Sequence, residues 1–338
     1  MTGTVFRGLL VLASLLAAPA AAATLDDVIA RGTLRCGINA GSATVVPADA
    51  AGWVAFDVGL CRAVAAATLG NADAIELIPA KGDAGRQKLA AGEVDLMIRD
   101  SAWTFTRDAD LQVDFPAISY YDGQGFLVPK ALGLTSAKEL VGQDICVVES
   151  SASYQNLGDY LRANNLALQP YLVADQPAAV AAYQSGACEV FSAPRSELAA
   201  LRASFEAPAD HVILPDSISK EPLGPVVREG DSNWSDIVRW TMFALIAAEE
   251  LGVTSANVDE MSKVPTSNAE MNRLLGTASA LGPMLGLQRD WAHLAIRAGG
   301  NYGEIYARSV GEATPVGLTR GLNALWRDGG LLYAPPFR

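Results

Sequence analysis

Apolar and polar positions fall into blocks whose period switches between strand-like and helix-like along the chain. Residues 24–31 read as a short helix and 32–39, Gly-Thr-Leu-Arg-Cys-Gly-Ile-Asn, as a strand. Over 56–69 apolar residues recur at helical spacing, with Asp57 placed to cap the helix and Gly70 just past its end. Residues 74–79 read as a second strand, 87–92 as the close of a second helix and 93–98 as a third strand. This β, α, β, α, β order predicts a parallel sheet with helices on its faces. The pattern then restarts, with a short helix over 136–140 and strands over 144–148, 168–173 and 186–192. Helices over 153–164 and 176–185 separate those strands. Two such units in series, joined through 123–129, predict two lobes. An extended stretch at 223–227 leads to a strongly amphipathic helix over 234–251, which Gly252 ends. Its Trp234, Ile237, Val238, Phe243 and Ile246 predict core packing. From about 269 the chain is helical and then Gly-rich, an extension expected to wrap on the first lobe.

One stretch carries the candidate chemistry: Asp95-Leu-Met-Ile-Arg-Asp-Ser-Ala-Trp-Thr-Phe-Thr-Arg107. A buried strand runs out into polar residues, and a helix start at 104–107 sets Arg107 near the strand's carboxyl end. Ligands of open α/β sheets collect beyond such ends, and a guanidinium matches a carboxylate with two parallel bonds. The plainer expectation is a surface Arg107 paired with Asp108 or Asp110.

Composition narrows the field. The 338 residues are 50% hydrophobic and 18% charged, a globular composition with room for two domains. With 25 basic and 37 acidic residues the formal charge is −12, which argues against nucleic acid or anionic membrane as partner. Residues 1–23 have the form of a cleaved leader: Arg7, an apolar run over 9–18 and Ala20-Ala-Ala-Ala23. No later run reads as long and uncharged enough to span a bilayer, so the mature chain is expected in solution outside the cytoplasm. In that oxidising compartment Cys36, Cys61, Cys146 and Cys188 predict two disulfides. Three pairings are possible; pairing by proximity, 36 with 61 and 146 with 188, would staple each half separately. The sequence implies no cofactor and no metal site: CxxC spacing is absent, and only His211 and His293 could add to a zinc site. GxGxxG, Walker, HExxH and GxSxG motifs are absent too. His293 is expected to be structural and Glu249-Glu250 to be a solvated helix end.

The chain resembles the periplasmic substrate-binding proteins of ABC transporters for polar amino acids, specifically the general L-amino-acid group. Carrying stretches are Gly32-Thr-Leu-Arg-Cys-Gly, Phe56-Asp-Val, Cys61-Arg-Ala-Val-Ala-Ala, Gly92-Glu-Val-Asp95, Trp103-Thr and Tyr120-Tyr-Asp-Gly-Gln-Gly-Phe126. Later ones include Ser219-Lys-Glu-Pro-Leu-Gly-Pro225, Ile237-Val-Arg-Trp240, Thr254-Ser-Ala-Asn-Val-Asp-Glu-Met261, Asn301-Tyr-Gly-Glu-Ile and Gly317-Leu-Thr-Arg-Gly-Leu-Asn-Ala-Leu-Trp326. The resemblance implies a two-lobe α/β type II periplasmic-binding-protein fold with a C-terminal helical extension. Expected ranges are 24–127 plus 226–270 for lobe one, 128–225 for lobe two and 271–338 for an extension packed on lobe one. Crossing strands are expected near 123–130 and 221–227, with hinge closure over a ligand in the cleft. It further implies a monomer, an inner-membrane ABC permease as partner and no enzymatic step. The alternatives are a periplasmic dehydratase on the same fold, for which Asp100 would be the acid, and a ligand-sensing module without transport.

In related binders an Arg at the place of Arg107 clamps the α-carboxylate, and an Asp ending the last lobe-two strand takes the α-ammonium. Here the family's Thr-Thr-Asp-Arg-Ser reads Ser192-Ala-Pro194-Arg-Ser196, and Pro194 offers neither charge nor N–H. Asp100 stands for an Asn and Ala102 for a hydroxyl residue. Gly85-Arg86 replaces Arg-Phe, and Ser150-Ser151-Ala152-Ser153-Tyr154 replaces Gly-Thr-Thr-Thr-Glu. The candidate binding set is therefore Arg107, Arg99, Asp100, Ser101, Ala102, Trp103, Ser151, Ala152, Ser153 and Pro194. Two explanations compete. Asp100 takes the ammonium from the other lobe while a ligand side chain reaches Arg99; or the ligand has no ammonium and is held by Arg107, Arg99 and Arg86. So many altered cleft positions favour the changed ligand.

Overall fold

The computed structural model describes residues 24–39, 51–99, 102–166, 170–278 and 281–338. The leader at 1–23, Asp100 and Ser101 lie outside them. Helix α1 (Thr24–Arg31) and strand β1 (Leu34–Ile38) precede α2 (Gly52–Leu69), β2 (Ile75–Pro79), α3 (Gly82–Ala90) and β3 (Leu96–Ile98). As the alternation predicts, β1 lies between β2 and β3 and parallel to both, Cys36 standing opposite Leu77 and Leu96. Gly70 ends α2 at φ +70°, a left-handed turn that glycine adopts without a Cβ clash.

The chain continues through α4 (Phe105–Asp110), β4 (Val113–Asp114) and β5 (Tyr120–Asp122) into β6 (Gln124–Pro129). The second unit follows: β7 (Ile145–Val148), α5 (Ala152–Ala163), β8 (Pro170–Val173), α6 (Gln176–Ser185), β9 (Val190–Pro194), α7 (Arg195–Ser204) and β10 (His211–Ile213). Its sheet has the order β10-β6-β9-β7-β8. Strands β7, β8 and β9 are parallel, β6 runs antiparallel to β9 as it enters from the first unit, and β10 pairs antiparallel with β6 and so runs with the other three. The first crossing therefore ends by Gln124, where β6 already pairs with β9.

The return crossing, β11 (Glu221–Leu223), pairs antiparallel with β5, and β12 (Val227–Arg228) pairs with β4. It passes so close to Ala117 that a Cβ on Gly224 would lie 1.9 Å from the Ala117 carbonyl oxygen. Helix α8 (Ser232–Glu250) then crosses the first unit, followed by α9 (Val258–Met261), α10 (Ala269–Leu274), α11 (Trp291–Gly299) and α12 (Tyr302–Ser309). Helices α8, α11 and α12 pack against α2. Phe56, Leu60, Val64, Trp234, Ile296 and Tyr302 lie in one continuous core there.

Disulfides join Cys36 to Cys61 and Cys146 to Cys188, with Cα atoms 6.1 and 5.8 Å apart, so each half has its own staple.

Three local expectations change. Helix α2 starts at Gly52, so Asp57 is an interior residue, fully buried, and caps nothing. By length and composition α2 could cross a membrane, contrary to the reading that no later run could, yet it is a core helix that α8, α11 and α12 cover. Glu249 is not a solvated helix end: Arg320 of the extension grips it with bonds of 2.9 and 3.1 Å. His293 meets Asp259 at 2.8 Å in a local pair.

Candidate functional site

A cavity of about 650 Å³ opens between the two sheets, at the carboxyl ends of β3 and β9. Its walls include Trp53, Lys81, Arg99, Ala102 and Arg107 from the first unit. From the second come Ala152, Asn156, Gln176, Pro194 and Glu197, while Asp122 and Glu221 come from the crossing strands. The chain turns sharply just after β3 and just after β7: Arg99 has φ +51° and Ser150 φ +58°. Non-glycine residues hold that conformation only where the surroundings fix it, typically at ligand sites.

Arg107 sits in α4, capped by Thr104, whose Oγ1 accepts the Arg107 N–H at 3.4 Å. Its guanidinium donates to the Ala102 carbonyl at 2.8 Å and lines the cavity, rather than pairing with Asp108 or Asp110. Its other N–H donors are uncommitted among the described residues, and their planar fork suits an anionic group. Ala102 has no hydroxyl, but its carbonyl is the tether that aims the guanidinium.

Arg99 lines the same wall in a different state. It is 7% exposed and donates to both carboxylate oxygens of Asp57 at 2.9 and 3.2 Å. Its guanidinium lies 4.4 Å from the Trp53 ring centroid. Burial pushes the Asp57 carboxyl up to about 6 against the lowering pull of Arg99. Trp53 in turn donates from Nε1 to the Ser196 carbonyl at 2.9 Å, a direct bond across the cleft. Arg99 thus shapes the wall, with its charge already matched inside the protein. Arg86 pairs with Asp83 and is not among the residues lining the cavity.

Trp103 turns away from the cavity: it is 37% exposed, stacks on Phe115 at 5.7 Å and lines a separate depression with Asp108 and Arg239. Ser151 caps α5, its Oγ accepting from Tyr154 N at 3.1 Å and donating to the Val148 carbonyl at 2.6 Å. The Ser153 carbonyl accepts from Gln124 Nε2 at 2.9 Å, which fixes the start of α5. Ala152 and Pro194 line the cavity. The structure therefore brings Arg107, Arg99, Ala102, Ala152 and Pro194 together, keeps the Ser151 and Ser153 bonds within the scaffold and places Trp103 outside.

Three acids that the sequence did not single out also face the cavity. Asp122 and Glu221 stand opposite each other in the β5–β11 pair, and Glu197 lies in the first turn of α7. Burial raises the carboxyl of each above its ordinary range, and Asp122 reinforces the shift on the other two. Arg107 pulls Glu221 back down and Lys81 does the same for Glu197.

No protein-family model matches the chain. It is 50% identical over the full length of both chains to the glutamate/glutamine/aspartate/asparagine-binding protein BztA of Rhodobacter capsulatus. It is 46% identical to the general L-amino acid-binding periplasmic protein AapJ of Rhizobium johnstonii, over 95% of each. The chain belongs to the periplasmic amino-acid-binding proteins of ABC transporters. Among solved structures, a periplasmic binding protein from Brucella ovis with glutathione bound superposes with a TM-score of 0.83 at 43% identity. It covers 94% of this chain and 100% of that one. The type II fold, the two lobes and the cleft between them are those of amino-acid-binding proteins. Asp122 and Glu221 lie within family-like stretches of sequence, but only the pairing of β5 with β11 brings them together.

Proposed function

We propose that this chain is an exported solute-binding protein for an ABC importer. It captures a small carboxylate-bearing ligand, a polar amino acid or a related carboxylate, between its lobes and presents it to an inner-membrane permease. Residues 1–23 serve as the cleaved leader, and the mature chain works in the periplasm as a monomeric carrier rather than an enzyme. Lobe one takes residues 24 to about 122 with 226–270, lobe two the span between, and 271–338 forms the extension on lobe one. The crossings at β5–β6 and β11 act as the hinge.

The observation that carries this reading is the Arg107 guanidinium, tethered to the Ala102 carbonyl and lining the cleft. A carboxylate met there forms two charge-assisted bonds, each worth about 1.5–3 kcal/mol away from water. BztA is named for glutamate, glutamine, aspartate and asparagine, and the Brucella ovis protein holds glutathione. Each of these molecules carries a carboxylate and an amino group.

A thermal-shift screen of the twenty L-amino acids, glutathione and short dicarboxylates identifies the ligand class. Calorimetry on Arg107→Ala with the four amino acids of BztA then tests the clamp. Affinity should fall about 100-fold or more; unchanged affinity refutes the assignment.

A further inference from the structure

The resemblance to amino-acid binders implies an acid for the ligand's ammonium at the place of Pro194, and two carboxylates without a hydrogen-bonded cation lie close by, Asp122 within the field of Arg99 and Glu197 within that of Lys81. Asp122 is 7% exposed and lines the cavity. Its Oδ1 accepts from Ser196 N at 3.3 Å, while Oδ2 is buried with no hydrogen-bond partner among the described residues. A buried carboxylate oxygen without a donor is unfavourable unless something in the cleft supplies one. Glu197 is three residues on from Pro194, a spacing that puts both on one face at the start of α7. It lines the cavity too, where the Lys81 charge bears on it, and among the described residues no direct hydrogen bond or ion pair holds its side chain. Glu221, the third acid, is already bound: Ser219 Oγ donates to it at 2.8 Å and Asn156 Nδ2 at 3.5 Å. The cations of the same cavity are Lys81, Arg99, Arg107 and Lys220, and Arg99 is neutralised by Asp57.

We infer that Asp122 and Glu197 form the ammonium site of this cleft, one turn along from Pro194, so that the ligand is an amine-bearing carboxylate and not a plain dicarboxylate. The inference rests on the binding-protein reading above. A positive group between the two acids gives Asp122 Oδ2 its donor and relieves the repulsion that a dianion would worsen. Arg107 takes the carboxylate on the lobe-one wall, so the cavity carries opposite charges at separate places, as a zwitterion requires. The acid that the resemblance implies at Pro194 is thus replaced by Glu197, in the helix that follows Pro194, and by Asp122 on the crossing strand.

Calorimetry on the full mature chain with L-glutamate and with glutarate, which lacks the amine, tests this. The unsubstituted protein should prefer L-glutamate by about 100-fold. Asp122→Asn and Glu197→Gln should each weaken L-glutamate at least about 30-fold and strengthen glutarate, since each removes a negative charge facing it. Adding Pro194→Asp to Glu197→Gln should recover most of the L-glutamate affinity. Equal affinity for the two probes, or L-glutamate affinity within about threefold in both acid variants, overturns the inference. Asp122 also helps hold the start of α7; if Asp122→Asn melts early, Glu197→Gln, which caps nothing, decides alone. Loss of binding in Arg107→Ala with retention in both acid variants sinks the ammonium site but keeps the carboxylate clamp. Retention in all three sinks both.

Discussion

The Arg99–Asp57 pair makes a sharp test of how the cleft wall is held. Asp57→Asn keeps the side chain's shape and removes its charge, leaving Arg99 buried and 4.4 Å over the Trp53 ring. Breaking one partner of a buried pair costs about 3–5 kcal/mol, because the other charge stays in place unmatched. The ring contact survives and is worth about 1–2 kcal/mol of continued compensation. A net loss of roughly 3 kcal/mol follows, which for a domain of this size lowers the melting temperature by about 6–12 °C. Burial of Asp57 is itself unfavourable, as its raised pKa indicates, so the pair is not a large net stabiliser. Replacing both charges, Asp57→Leu with Arg99→Met, should therefore recover most of the loss. Scanning calorimetry on the three variants measures this. A melting temperature for Asp57→Asn within about 2 °C of the parent protein would refute it.

The buried carboxyls should favour the folded state on acidification from pH 7 to 5, against a smaller opposite contribution from His211, whose imidazole is held below its ordinary value by burial. Asp57 is pushed up to about 6, and Asp95, Asp122, Glu197 and Glu221 are also raised. Folded carboxyls of this kind hold protons that the unfolded chain releases, so their contribution is complete below the ordinary 3.8 of Asp57 and lost as pH climbs through 6. Melting curves across that range should flatten in Asp57→Asn, and a melting temperature rising from pH 5 to 7 contradicts the sign. Reduction should cost roughly 3–4 kcal/mol per disulfide for closed segments of 25 and 42 residues, read from melts with and without a reductant. Trp53→Phe removes one neutral bond across the cleft and should weaken ligand binding about two- to tenfold in calorimetry. No change would mean that the Ser196 contact does not help closure.

The α/β order was legible because each strand is a short apolar run and glycines mark helix ends between them, as at Gly70 after α2 and Gly186 after α6. Arg107 was legible for the same local reason: Thr104 signals the helix start that sets it beyond β3. Asp57 was not. Phe56-Asp-Val looks like a helix beginning, but Gly52-Trp-Val-Ala continues the helix upstream, and the partner that makes a buried Asp tolerable is Arg99, 42 residues away. Trp103 was misplaced because strand-end residues alternate direction, and nothing local says that Phe115 will receive its ring. The acids of the cleft were missed because Asp122 and Glu221 face each other only through an antiparallel pair almost 100 residues apart in sequence.

On the proposed reading, the C-terminal extension fixes the strand that carries Asp122 in the first lobe. Asn323, 4% exposed, accepts from Tyr121 N at 2.7 Å and donates to the Tyr121 carbonyl at 3.0 Å, so it completes β5 on the edge that β11 leaves open. Arg320 lies over the Tyr302 and Tyr306 rings at 5.2 and 5.0 Å while gripping Glu249, which ties that loop to α8 and α12. Tyr302 also donates to the Ser119 carbonyl at 2.8 Å, just before β5 begins. The strand carrying Asp122 is thereby fixed in the frame of the first lobe, up to the residue before Gly123. There a Cβ would meet Ser217 Oγ at 2.1 Å, so the crossing itself has no room for a side chain. Glu197 belongs to the frame of the second lobe. Asp122 nevertheless accepts from Ser196 N at the start of the helix carrying Glu197, so the two acids stay together at the hinge, and a ligand reaching from them to Arg107 supplies the differential contact that shifts an open–closed equilibrium. On the proposed reading the two acids hold the ligand's cation at the hinge, and Arg107, on the far wall, supplies the contact that favours closure.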